Sequence, residues 1–93
     1  MAKKRSRLEV IRDILQVIKD RSGKIKPTHI LYKSNLSHQM MEEYLGELIS
    51  KGFIVEHRAK DVKGKTYSIT EKGLTYLSKF SLISEFTESF GLG

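Results

Sequence analysis

The chain has 93 residues, with 39% hydrophobic and 30% charged side chains and no cysteine. That length bounds it to a single domain over 1–93, and the composition is that of a folded chain rather than a disordered one. The missing cysteine excludes disulfides, thiolate metal sites and cysteine nucleophiles, and a net charge of +6 points to a polyanionic partner.

The charge is unevenly spread. Residues 1–36 carry +7, residues 37–50 carry −3, residues 51–73 carry +3 and the remainder −1. Two basic blocks thus flank an acidic stretch. Apolar runs are short, so no membrane span is expected; no apolar stretch follows the charged first residues, so no signal peptide is expected. The expected setting is cytoplasmic and nucleoid-associated.

Residues 1–6 read as a basic arm containing Lys3, Lys4 and Arg5. Ser6 and Glu9 have the spacing of a capping box and open the first helix. Leu8, Ile11, Leu15 and Ile18, widened by Val10, Ile14 and Val17, give it a broad apolar face. Gly23 suits the position beyond its end. Pro27 opens a second helix, with Ile30 and Leu31 inward. Asn35 reads as a left-handed turn residue and Leu36 as the turn's plug. Ser37 is the expected N-cap of a third helix, whose inner stripe is Met41, Leu45, Leu48 and Ile49. Gly52 ends it.

The period then changes. A short strand is expected over 53–56 and a second over Thr66–Ile69. The aperiodic, basic connection from Arg58 to Lys65 makes them a hairpin. Thr70 caps a last helix from Glu71 toward Phe90. Tyr76, Phe80, Ile83, Phe86 and Phe90 form a stripe longer than a small core needs, so they are the expected homodimerisation surface.

Two helices joined by a tight turn, then a third-helix-to-hairpin succession, fit a mainly α fold with a β-hairpin: a winged helix-turn-helix. A helix fits the major groove, and a basic hairpin beside it reaches phosphates. The run Gly64-Lys65-Thr66-Tyr67-Ser68-Ile69-Thr70-Glu71-Lys72-Gly73, then Leu77, resembles the wing-to-last-helix junction of winged-helix regulators. Lys24–Thr28, Leu36-Ser37, Tyr44-Leu45 and Lys51–Ile54 are similar to small archaeal winged-helix DNA-binding proteins, including 10-kDa chromosomal proteins that dimerise through a C-terminal helix. Residues 85–92 look like related archaeal regulators.

The resemblance covers nearly the whole chain. It implies a transcription regulator or a non-specific chromatin protein acting on double-stranded DNA. Ser37, His38 and Gln39 would begin the recognition helix, and Thr28 would lie near a phosphate. Arg58, Lys60, Lys63 and Lys65 would be wing contacts, and Lys3, Lys4 and Arg5 would add phosphate contacts. Glu42, Glu43 and Glu47 depart from a comfortable DNA reader, because flanking phosphates repel them. They motivate the alternative of a protein-interaction module on the same scaffold.

The three histidines share no zinc-ligand spacing. There is no phosphate-cradling loop or nucleophile elbow, and Glu42 and Glu43 point about 100° apart on a helix. No enzyme activity, cofactor, metal or small-molecule substrate is expected.

Overall fold

Local signals in the chain become helices and a hairpin in the expected order. The structure, a computed structural model, describes residues 5–21, 25–58 and 64–91. The elements are α1 (Arg7–Asp20), α2 (Pro27–Ser34), α3 (His38–Ser50), β1 (Ile54–Arg58), β2 (Lys65–Ile69) and α4 (Glu71–Ser89).

Helices α1, α3 and α4 begin where a side chain takes up otherwise orphaned backbone donors. Ser6 Oγ accepts from Glu9 N at 3.2 Å, and Glu9 Oε1 accepts from Ser6 N at 3.2 Å, completing the capping box of α1. Ser37 Oγ accepts from Met40 N at the start of α3, and Thr70 Oγ1 accepts from Gly73 N at the start of α4. Pro27 fills the first turn of α2. Between α2 and α3, Asn35 adopts φ 53° and ψ 54°, the left-handed turn expected of it, and Leu36 is buried. Gly52, at φ +80°, reverses the chain after α3. The position assigned to Gly23 lies outside the described residues.

The core is built on α1, which buries Val10, Ile11, Ile14, Leu15 and Ile18. Ile25, Ile30, Met41, Leu45, Leu48, Ile54 and Tyr67 close around it. Full burial of a side chain of this size contributes about 1.5–3 kcal/mol. Leu8 departs from the expected apolar face: it is 56% exposed, because α1 begins a turn before the core does.

β1 and β2 pair antiparallel, from Ile54↔Ile69 to Arg58↔Lys65. The ladder differs from the expected strands at both ends. Phe53 precedes β1, and Arg58 and Lys65 are cross-strand partners rather than parts of an irregular loop. The described ladder therefore takes in Arg58 and Lys65. Tyr67 N also donates to Ile25 O at 3.2 Å, tying the hairpin to the segment before α2.

The start of α4 is pressed against residues 51–53, which follow α3, and against the end of β2. A Cβ on Gly73 would lie 2.5 Å from Phe53 O and 2.5 Å from Ile69 Cγ1, so only glycine permits this approach. Lys72 Nζ donates to Lys51 O at 2.7 Å, and Thr70 Oγ1 lies 2.6 Å from Gly52 O and 2.9 Å from Phe53 O. Among the described residues, no helix is long and apolar enough to cross a membrane.

Candidate nucleic-acid interface

The turn at Asn35 sets α3 across α2, leaving the outer side of α3 in solvent. His38, Gln39, Glu42, Glu43 and Gly46 are all exposed there. That side borders a groove shared with the first turn of α2 and the base of the hairpin. Its walls include Lys26 just before α2, Thr28 from α2, Glu42 and Gly46 from α3, and Glu56, Lys65 and Tyr67 from the strands.

Of the residues singled out on α3, Ser37 uses its hydroxyl as the helix cap. His38 stands 3.9 Å from Glu42, one turn along. The Gln39 amide donates to Glu43 Oε1 at 3.5 Å, a long and weak bond. Thr28 is exposed on the groove's rim. Among the described residues, no group of three or more His, Asp or Glu side chains is placed to hold a metal ion.

Glu47 does not behave as an unbalanced charge. It is paired with Arg7 of α1, and Lys51 Nζ lies 3.1 Å from Oε1. The hydrogen bond from Arg7, followed by that from Lys51, holds the Glu47 carboxyl below its ordinary range. The Arg7 guanidinium also sits 5.6 Å from the centre of the Tyr44 ring. The acidic character left on the outer side of α3 is therefore that of Glu42 and Glu43.

The wing is also less purely basic than its sequence. Glu56 Oε1 lies 3.3 Å from Lys65 Nζ and 3.6 Å from Arg58 Nε. Alternation puts Glu56 and Arg58 on one face of β1, and the register sets Tyr67 opposite Glu56. Burial, and then the Glu56 charge, raise the Tyr67 hydroxyl above its usual pKa. On the opposite face, His57 Nε2 lies 2.6 Å from Ser68 Oγ. Lys60 and Lys63 lie outside the described residues, as do Lys3 and Lys4.

Arg5, grouped with the basic arm by sequence, is committed within the chain. It pairs with Asp13 at 2.6 Å and donates to the carbonyls of Ser34 at 2.7 Å and Asn35 at 3.2 Å. It thus serves the carbonyl end of α2, where a cation is favoured by the helix dipole. Sequence spacing gave no sign of this contact, nor of the Arg7–Glu47 pair, because both join residues far apart in the chain.

The stripe on α4 divides in two. Tyr76 packs edge-on to Phe53 with ring centres 5.8 Å apart and stacks on Phe80 at 6.1 Å. Tyr76 and Phe80 are half-buried against their own chain. Farther along, Ile83, Phe86 and Phe90 are 63%, 60% and 66% exposed. Leu82, which the sequence stripe did not include, is 63% exposed beside them.

A family model described as winged helix-turn-helix matches residues 4–88. An uncharacterized protein of Methanocaldococcus jannaschii is 35% identical over 86 residues, covering 92% of this chain and 80% of that protein. The structure is similar to Sso10a-2, described as a DNA-binding protein from Sulfolobus solfataricus: TM-score 0.78, 24% identity, 92% of this chain and 85% of that one. It is also similar to SSV1 F-93, with TM-score 0.67, 21% identity, and coverage of 97% of this chain and 99% of that one.

Proposed function

The chain belongs to the winged helix-turn-helix family, and from that premise we propose that it is a dimeric DNA-binding protein, acting as a transcription regulator or a chromatin protein. The observation that carries the reading is the groove in which the start of α2, the outer side of α3 and the base of the hairpin meet. The N-terminal turn of α3, with His38 and Gln39, enters the major groove. Thr28 and Lys26 meet a flanking phosphate, and Arg58 and Lys65 meet the backbone beside it, joined by Lys60 and Lys63 of the connection. Lys3 and Lys4 add phosphate contacts; Arg5 instead steadies α2.

Two copies pair through the far half of α4, burying Leu82, Ile83, Phe86 and Phe90. Pairing presents two reading heads to a two-fold DNA site. The description of Sso10a-2 as a DNA-binding protein supports the same assignment. The function is binding rather than catalysis, with no cofactor.

The test is fluorescence anisotropy with a mixed-sequence duplex of about two helical turns, at low and near-physiological salt. Binding that weakens steeply with salt is expected. No binding at low salt overturns the general DNA-binding reading.

The exposed carboxylates of Glu42 and Glu43 favour a second reading, a docking face for a basic protein on the same scaffold. Reversing both to lysine separates the two. DNA affinity rises if α3 faces phosphates, whereas binding of a basic partner collapses if α3 docks it.

A further inference from the structure

Arg58 and Lys65 are direct cross-strand partners, and like charges in that position repel. Glu56 lies between them. Its side chain is 27% exposed, while those of Lys65 and Arg58 are 45% and 73% exposed. Oε1 of Glu56 is shut off from solvent and makes no directed hydrogen bond among the described residues. Its compensation there is the pair of cations at 3.3 and 3.6 Å. The ion pairs are loose in geometry, and both cationic groups keep an open side toward solvent.

We propose that Glu56 sets the wing's grip on DNA: its carboxylate occupies Arg58 and Lys65 in the free protein, and duplex phosphate must draw them away. The inference rests on the DNA-binding reading above and adds a residue that opposes binding. An incoming phosphate offers Lys65 and Arg58 the same charge that Glu56 already supplies. The exchange therefore yields less than capture of two free cations would. It also leaves a carboxylate to regain a counterion, which subtracts from the ions released on binding. Glu56 acts through Arg58 and Lys65 and is a positioning residue rather than a DNA contact.

The experiment is a double-mutant cycle in duplex binding, read by anisotropy across a salt series. The four proteins are the unaltered chain, Glu56→Gln, Arg58→Ala with Lys65→Ala, and the triple substitution. Glu56→Gln is nearly isosteric, and circular dichroism checks that each variant folds.

Glu56→Gln is expected to tighten binding about three- to ten-fold at low salt, as loss of two loose ion pairs whose cations face solvent implies. Its log–log salt slope is expected to steepen by about one. Both effects are expected to vanish when Arg58 and Lys65 are already alanine.

Equal affinity of the unaltered chain and Glu56→Gln overturns the role of Glu56 while leaving the DNA reading intact. An equal gain in both backgrounds also overturns it, because a general change of field needs no Arg58 or Lys65. Failure of the unaltered chain and Glu56→Gln alike to bind any duplex overturns both.

Discussion

The hydroxyl of Tyr76, on α4, donates to the carbonyl of Leu8 at 2.7 Å, joining the last helix to the first turn of α1. The same first turn carries Arg7, which grips Glu47 on α3. The start of α1 is thus held from two sides. Burial raises the Tyr76 hydroxyl above its ordinary pKa, which already lies well above neutral. Tyr76→Phe keeps the ring stack with Phe53 and Phe80 but removes the bond. Its expected cost is about 0.5–1.5 kcal/mol in urea unfolding. No loss of stability would mean that solvent replaces the contact without penalty.

Glu47 gives the fold a defined acid sensitivity. Its folded carboxyl titrates below the ordinary value of 4.5, so the unfolded chain binds the proton more readily. The resulting stabilisation is fully present above that value and drains away as pH falls through the folded one. Glu47→Gln should lower stability near neutral pH, with the gap to the unaltered chain closing in acid. Urea midpoints measured between about pH 6 and pH 3 read this directly. A gap that stays constant would show that the Arg7 pair contributes nothing through ionisation.

Two glycines in helices should respond in opposite directions. Gly73→Ala drives a Cβ to 2.5 Å from Phe53 O and from Ile69 Cγ1, and is expected to cost about 1–3 kcal/mol or more. Gly46 has nothing within 4 Å of its ideal Cβ and sits mid-helix. Gly46→Ala is expected to stabilise by up to about 1 kcal/mol. Thermal denaturation of the two variants side by side provides the measurement.

Ser34 is wholly buried, and its hydroxyl finds no hydrogen-bond partner among the described residues. Ser34→Ala removes a desolvated polar atom with almost no change of shape. Stability should be unchanged or rise by about 1 kcal/mol. A marked loss would reveal a partner for Oγ in solution.

The exposed far half of α4 supplies a direct test of assembly. Phe86 and Phe90 lie with ring centres 4.9 Å apart and are 60% and 66% exposed. Phe86→Glu with Phe90→Glu should convert a dimer to a monomer in sedimentation velocity, leaving the helical signal in place. Both residues are far from the core, so misfolding is not the expected outcome. An unaltered chain that sediments as a monomer at high micromolar concentration would overturn pairing through α4.

The sequence was most informative where structure is decided within a few residues. Ser6 with Glu9, Asn35, Ser37 and Thr70 all announced a boundary through short-range chemistry, and each boundary is where the spacing put it. Winged-helix architecture followed from their order. Pairings across the fold were not legible. Arg7 with Glu47 and Arg5 with the α2 carbonyls depend on how α1 crosses its neighbours. Leu8 shared the apolar period of α1 yet lies beyond the core, and period says nothing about where a core stops. The basic charges of Arg58 and Lys65 point to a loop, yet their backbones pair and lengthen both strands. For the candidate interface, sequence named the exposed cations and the start of α3, but not Glu56 among the wing charges.

The junction between α3 and α4 bears on how a paired molecule would measure its target. Lys72 reaches the Lys51 carbonyl, Thr70 reaches those of Gly52 and Phe53, and Gly73 is pressed onto the same strip of backbone. These contacts fasten the start of α4 to the segment that follows α3, the two helices proposed above to pair and to read. Were two copies to join through α4 as proposed, the span between their α3 helices would be set like the jaws of a fixed caliper. A mismatch in site spacing would then be absorbed by bending the duplex, by opening the pair, or by breaking the contacts that Gly73 and Thr70 make with residues 52 and 53.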